Sequence, residues 1–180
     1  MKNLPNQFFY SKEEDRLNVI SHGIGFILSI IGLIFLLNKG LQDFNLLRFL
    51  SFLIYGISLS TMYIASTLYH NSKTPEGRYK FRLFDMVSIY LLIAGSYTPF
   101  TLTVLIDSGG LTLFLLVWVI AFIGIIWKIF TVGSYNISST LLYIFMGGLW
   151  LFFIDAFINE IPQNALMWIC LLYTSPSPRD

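Results

Sequence analysis

The sequence predicts an all-α protein, a bundle of helices that cross a membrane, and three observations carry that prediction. Apolar residues make up 56% of the 180 residues and charged residues only 12%, whereas about a quarter of a soluble domain is charged. The mean hydropathy is +0.71. The apolar residues form runs of about twenty, the length that a helix needs to cross a bilayer. Membrane-crossing strands are about half as long and alternate in polarity, so the runs indicate helices.

Five complete spans and part of a sixth follow one another along the chain. Acidic residues precede the first run, which is also longer than the apolar core of a cleavable signal peptide, so it is predicted to be retained. Residues 1–17 are assigned to an N-terminal segment and residues 18–170 to the transmembrane domain. The predicted spans are Val19–Leu37, Phe49–Tyr69, Phe84–Ile106, Leu111–Phe130 and approximately Ile137–Ile158, and a shorter run begins near Ala165.

Lysine and arginine are distributed unequally between the two predicted sides of the membrane. One side carries Lys39 and Arg48. The other carries Lys2, Lys12, Arg16, Lys73, Arg78, Lys80, Arg82 and Lys128. Because positive residues are enriched in cytoplasmic connections, the N-terminus is predicted to be cytoplasmic and the protein to lie in the cell membrane.

The last residues do not continue the sixth run. Residues 171–180 read Leu-Leu-Tyr-Thr-Ser-Pro-Ser-Pro-Arg-Asp. Prolines and a charged pair are incompatible with a helix that has only begun to cross the hydrocarbon core. A short re-entrant end is one interpretation. We favour the other, in which the native sequence stops near Cys170, residues 171–180 are a non-native tail, and at least one further span is missing.

Polar residues at the ends of the first three spans are candidates for function, because ionisable groups near lipid are costly. Glu14, Asn18 and His22 recur at intervals of four and therefore stay near one helix face. Ser66 and His70 stand one helical turn apart at the end of the second span. Each group also has an ordinary structural interpretation: a carboxylate stabilises a helix start, and a histidine can cap helix carbonyls.

Asp85, at the start of the third span, is the third candidate group of polar residues. It can likewise be a first-turn carboxylate or a partner of Arg82. All three groups fall on the same predicted side and at similar depth, which favours a site. One histidine, one carboxylate and one hydroxyl are part of a zinc or water-activating arrangement, but catalytic zinc usually has three protein ligands. Further along, Pro99 predicts a kink and Gly95 a close helix contact.

Taken in order, these residues resemble the bacterial hemolysin III family, which belongs with the progestin and adipoQ receptors. The resemblance runs from about Glu14 to Trp168. The matching segments are Glu14-x3-Asn18-x3-His22, Ser-Thr-Leu-Tyr-His at 66–70, Asp85 with Ile-Tyr-Leu-Leu-Ile-Ala-Gly-Ser-Tyr-Thr-Pro-Phe at 89–100, and Leu-Leu-Tyr-Ile-Phe-Met-Gly-Gly-Leu-Trp at 141–150.

The resemblance implies seven helices and a zinc site near the cytoplasmic face. In that site His70 would be a direct zinc ligand, Asp85 would hold the zinc-bound water and Ser66 would stand beside the ligands. The role of the motif Glu14, Asn18 and His22 is left open. The other two ligands would come from a His-x3-His pair on the seventh helix, which this sequence lacks. The chain as written is therefore not expected to hold zinc tightly.

Three functions are compatible with the resemblance. The first is zinc-dependent hydrolysis of a lipid amide, with Asp85 and Ser66 as the candidate catalytic residues. The second is a pore-forming cytolysin, against which the confinement of the polar residues to one leaflet argues. The third is a membrane sensor or receptor with structural zinc and no turnover. The expected partners are the bilayer and a lipid substrate; a net charge of +1 predicts no nucleic acid.

Overall fold

The computed structural model describes residues 10–42, 44–131 and 137–161. Helices make up most of these ranges and no strand occurs in them, which confirms the predicted all-α class. The α-helices are α1 (Lys12–Leu41), α2 (Leu46–Asn71), α3 (Pro75–Pro99), α4 (Leu111–Phe130), α5 (Ile137–Gly147) and α6 (Ile154–Glu160). Two π-helical turns, Phe100–Val104 and Ile106–Gly110, link α3 to α4, and a 3-10 turn, Leu149–Phe153, links α5 to α6.

Five helical segments are long and apolar enough to cross a membrane, in agreement with the five predicted spans. They are Lys12–Leu41, Leu46–Asn71, Pro75–Val104, Ile106–Phe130 and Ile137–Glu160. The protein is therefore a multi-pass membrane protein. The short run near Ala165 and the predicted tail at 171–180 lie outside the described residues.

Two helices begin earlier than their apolar runs, because capping residues set where they start. The Ser11 hydroxyl accepts a hydrogen bond from the Glu14 amide at 3.2 Å, and the Glu14 carboxylate accepts one from the Ser11 amide at 2.8 Å. This reciprocal pair starts α1 at Lys12 rather than at Val19. At α3, Thr74 accepts from the Gly77 amide at 3.2 Å. The polar first turns of both helices are thus rigid and can position side chains.

Small residues bring α1, α2 and α3 together. The hydroxyls of Ser29 on α1 and Ser60 on α2 are hydrogen-bonded at 2.9 Å. A Cβ atom on Gly95 of α3 would lie 2.5 Å from the Ser58 hydroxyl of α2. The predicted close contact at Gly95 is confirmed, and with the Ser29–Ser60 bond it shows that α2 packs closely against both of its neighbours.

The regular part of α3 ends at Pro99, where a kink was predicted. The chain continues as the two π-helical turns, and threonine hydroxyls bond backbone carbonyls around the irregularity: Thr98 to Ala94 at 2.9 Å and Thr101 to Tyr97 at 3.0 Å. The apolar core of the protein lies between α3, α4 and the segment from α5 to α6. Its buried side chains include Tyr90, Ala94, Leu105, Leu113, Val117, Ala121, Met146 and Leu149.

Candidate functional site

The start of α1, the end of α2 and the start of α3 meet around the imidazole of His70. The His70 Nδ1 atom lies 2.9 Å from Asp15 Oδ1 and 3.5 Å from the Asn18 amide nitrogen. The ring of His22 stacks on the ring of His70, with centroids 5.9 Å apart and planes within 8°. His70 is 8% exposed. We call Asp15, Asn18, His22, His70 and Arg78 the polar cluster.

Arg78 joins α3 to this cluster through a bidentate ion pair. Its Nη2 atom donates to Asp15 Oδ1 at 2.7 Å, and its Nη1 atom donates to Asp15 Oδ2 at 2.9 Å. Nη1 also donates to the backbone carbonyl of His70 at 3.2 Å. The guanidinium carbon lies 4.7 Å from the centre of the Tyr69 ring. Arg78 is 1% exposed, so the cluster buries a charge that is paired in the planar geometry that guanidinium favours.

The contact with Asp15 bears on which nitrogen of His70 a ligand can reach. An ionised carboxylate only accepts hydrogen bonds, and only one nitrogen of a neutral imidazole carries a proton. Carboxylate–histidine pairs of this kind orient imidazoles that bind metal ions.

A catalytic zinc ion usually has three protein ligands. Within the described residues, no group of three or more His, Cys, Asp or Glu side chains is arranged to hold a metal ion. The His70 imidazole is nevertheless buried and held by a carboxylate, as a zinc ligand requires. The described residues thus fit one ligand of a zinc site, and the others would have to come from elsewhere.

The structure brings several of the predicted residues together and shows one in a helix cap. Asn18, His22 and His70 belong to the polar cluster, and Ser66 is buried one turn before His70 on α2. The Glu14 carboxylate bonds the Ser11 amide in the α1 cap, which is the structural interpretation of that residue.

Asp85 belongs to a different part of α3, seven residues after Arg78. It is half-buried, and its backbone carbonyl accepts a hydrogen bond from the Ser88 hydroxyl at 2.7 Å. The Asp15 carboxylate contacts the His70 ring at 2.9 Å. The predicted roles of Asp85 and Ser66 toward a metal ion are not tested by these contacts and stay predictions.

Sequence reasoning missed Asp15 and Arg78. A signal for Asp15 exists: on an ideal helix it lies about 20° from His22, whereas Glu14 lies about 80° away. Asp15 stands three residues before Asn18 and seven before His22. The regular interval of four from Glu14 to the same two residues made Glu14 the candidate instead. Arg78 gave no such signal, because its approach to Asp15 depends on how the α2–α3 connection folds.

Comparison with known proteins identifies a matching family and curated relatives. The family described as Haemolysin-III related matches residues 10–175. The chain is 43% identical over 137 residues to Hemolysin-3 of Bacillus cereus, which is 76% of this chain and 63% of the relative. It is 39% identical over 140 residues to a Hemolysin-3 homolog of Bacillus subtilis (strain 168), which is 78% of this chain and 66% of the relative. The chain thus spans less than two thirds of these relatives. No solved structure matches it.

Proposed function

This chain belongs to the haemolysin-III related family, and on that premise we propose that it acts in a membrane zinc hydrolase that cleaves a lipid amide. The observation that carries the proposal is the 2.9 Å contact between His70 Nδ1 and Asp15 Oδ1. It supports His70 as a zinc ligand, because it leaves Nε2 as the coordinating nitrogen of a buried, fixed ring.

His70 would supply one ligand of such a site, and the described residues do not supply the others. The family resemblance assigns those ligands to a His-x3-His pair on a further helix. Zinc, when bound, polarises a carbonyl and lowers the pKa of a coordinated water toward 7. With zinc bound, Asp85 would hold the coordinated water and take up its proton, and Ser66, one turn before His70, would support the ligand from within α2.

The depth of the polar cluster supports a lipid substrate. Asp15 and Asn18 stand just before the apolar run that starts at Val19, and His22 stands just inside it. The cluster therefore lies where the polar and apolar parts of a lipid meet, the level at which an amide link to an acyl chain is found. The excess of lysine and arginine on this side supports an orientation in which this end of the bundle faces the cytoplasm.

Zinc content tests the ligand assignment. The protein is expressed from its complete source reading frame, purified in detergent, and its zinc per chain is measured by mass spectrometry. We expect one zinc ion per chain, lost in His70→Ala and retained in His22→Ala. The second variant is a matched control, because it also removes an imidazole from the polar cluster. Stoichiometric zinc in His70→Ala would refute the assignment.

Turnover separates the hydrolase from the two other functions. Purified zinc-loaded protein is given a ceramide, and the released fatty acid is measured, with Asp85→Asn as the inactive variant. Zinc binding without release of fatty acid would favour a sensor with structural zinc. Conductance across planar bilayers that persists in His70→Ala would favour the cytolysin.

A further inference from the structure

The Asp15 carboxylate is the point at which three helices converge. Its Oδ1 atom is shared by His70 Nδ1 at 2.9 Å and Arg78 Nη2 at 2.7 Å, and its Oδ2 atom accepts from Arg78 Nη1 at 2.9 Å. The guanidinium holds both oxygens in its own plane, so it fixes the direction in which Oδ1 faces the imidazole.

Arg78 is in turn held by the end of α2. Its Nη1 atom donates to the backbone carbonyls of His70 at 3.2 Å and Ser72 at 3.5 Å, and the Tyr69 ring covers the guanidinium. A cation is favoured there because carbonyl groups without helical partners gather at a helix C-terminus. The backbone and the ring of His70 are therefore tied to one another through Arg78 and Asp15.

The other neighbours of the ring do not impose an orientation of this strength. The Asn18 amide nitrogen is 3.5 Å from Nδ1, at the outer limit for a hydrogen bond. The rings of His22, Tyr10 and Tyr69 pack against the His70 ring, with centroids 5.9, 5.5 and 4.8 Å away. Of these contacts to the ring edge, that of Asp15 is both short and charged.

We propose that Asp15, itself oriented by Arg78, is the positioning residue of the site and holds His70 in the tautomer with the proton on Nδ1 and the lone pair on Nε2. The consequence for zinc rests on the proposed function, whereas the tautomer does not. Neither Asp15 nor Arg78 is a zinc ligand in this proposal; both act through the His70 ring.

Nitrogen NMR of the histidine rings reads the tautomer directly. The chain has only His22 and His70, so histidine-selective ¹⁵N labelling gives two sets of ring signals, and His22→Phe assigns them while keeping an aromatic stacking partner. In alkaline buffer, where imidazole rings are neutral, we expect His70 to be protonated at Nδ1. Protonation of His70 at Nε2 in the unmodified chain would overturn the proposal.

Three variants locate the cause. In Asp15→Ala we expect His70 to lose its single tautomer and give averaged ring signals. Because this change leaves the buried Arg78 without its carboxylate and can weaken folding, Asp15→Ala/Arg78→Met removes both charges and should show the same averaging. Glu13→Ala is the matched control: it deletes an exposed carboxylate from the same helical turn and should leave the tautomer unchanged. A fixed Nδ1–H tautomer in the double variant would overturn the proposal.

Zinc affinity of the complete protein gives the second measurement. Loss of a carboxylate that orients a metal-binding histidine weakens binding by roughly 10- to 100-fold, and we expect that loss in the double variant. Unchanged affinity would refute the positioning role while leaving the zinc assignment intact. A fixed tautomer in a protein that binds no zinc would instead refute the proposed function and leave Asp15 as the residue that sets the ring.

Discussion

The two ion pairs near the start of α3 are predicted to differ sharply in energy although their distances are nearly equal. Asp15–Arg78 spans 2.7 Å with side chains 18% and 1% exposed, and Glu76–Lys80 spans 2.8 Å with side chains 77% and 70% exposed. Breaking a buried pair from one side costs about 3–5 kcal/mol. Because Asp15 keeps some contact with solvent, we expect Asp15→Ala to lower the free energy of unfolding by about 3 kcal/mol, the low end of that range.

A double-mutant cycle isolates this pair. Asp15→Ala, Arg78→Met and the double variant are unfolded by SDS titration in mixed micelles, and the double variant should recover much of the loss because no charge is left buried alone. The same cycle with Glu76→Ala and Lys80→Ala should show no measurable coupling, since exposed pairs are screened by water. Equal coupling in the two cycles would show that burial does not set the strength of the Asp15–Arg78 pair.

Three further outcomes follow from other parts of the fold. Gly95→Ala should destabilise the bundle by about 1–3 kcal/mol in the same SDS titration, and Ser58→Gly should relieve it; a neutral Gly95→Ala would contradict the close contact of α2 and α3. Tyr97→Phe should cost about 1–3 kcal/mol, because its hydroxyl bonds two carbonyls at the end of α5; an unchanged unfolding curve would contradict those bonds. In a cysteine-free background, an impermeant maleimide should label Lys39→Cys in intact cells and not Lys73→Cys; the opposite pattern would reverse the orientation.

The fold was predictable from the sequence because a bilayer permits few alternatives. Runs of about twenty apolar residues identify helices whatever their order of packing, and the five predicted spans match five helical segments. The helix starts were less predictable. Hydropathy places the start of the third span at Phe84, whereas Thr74 and Pro75 start α3 nine residues earlier by capping, a local effect that carries no apolar signal.

Helical spacing predicted which site residues share one face of a helix, but it did not predict the contacts between helices. The repeat of Asn18 and His22 and the position of His70 at the end of its span were enough to nominate three residues that the structure brings together. Arg78 required knowledge of the α2–α3 connection, and the choice between Glu14 and Asp15 required knowing which carboxylate serves the cap. Spacing constrains a face of one helix, whereas contacts between helices depend on their crossing and register.

The order in which the chain is synthesised affects when the polar cluster can form. Asp15, His70 and Arg78 all lie within α1 to α3, the first 99 residues of the chain. Chains emerge from the ribosome N-terminus first, and early units can fold before later ones are synthesised. The cluster can therefore assemble while α4 to α6 are still unmade, and the charges of Asp15 and Arg78 are neutralised by each other at that stage. The apolar core also needs side chains of α4 and α5, so it is not complete at that stage.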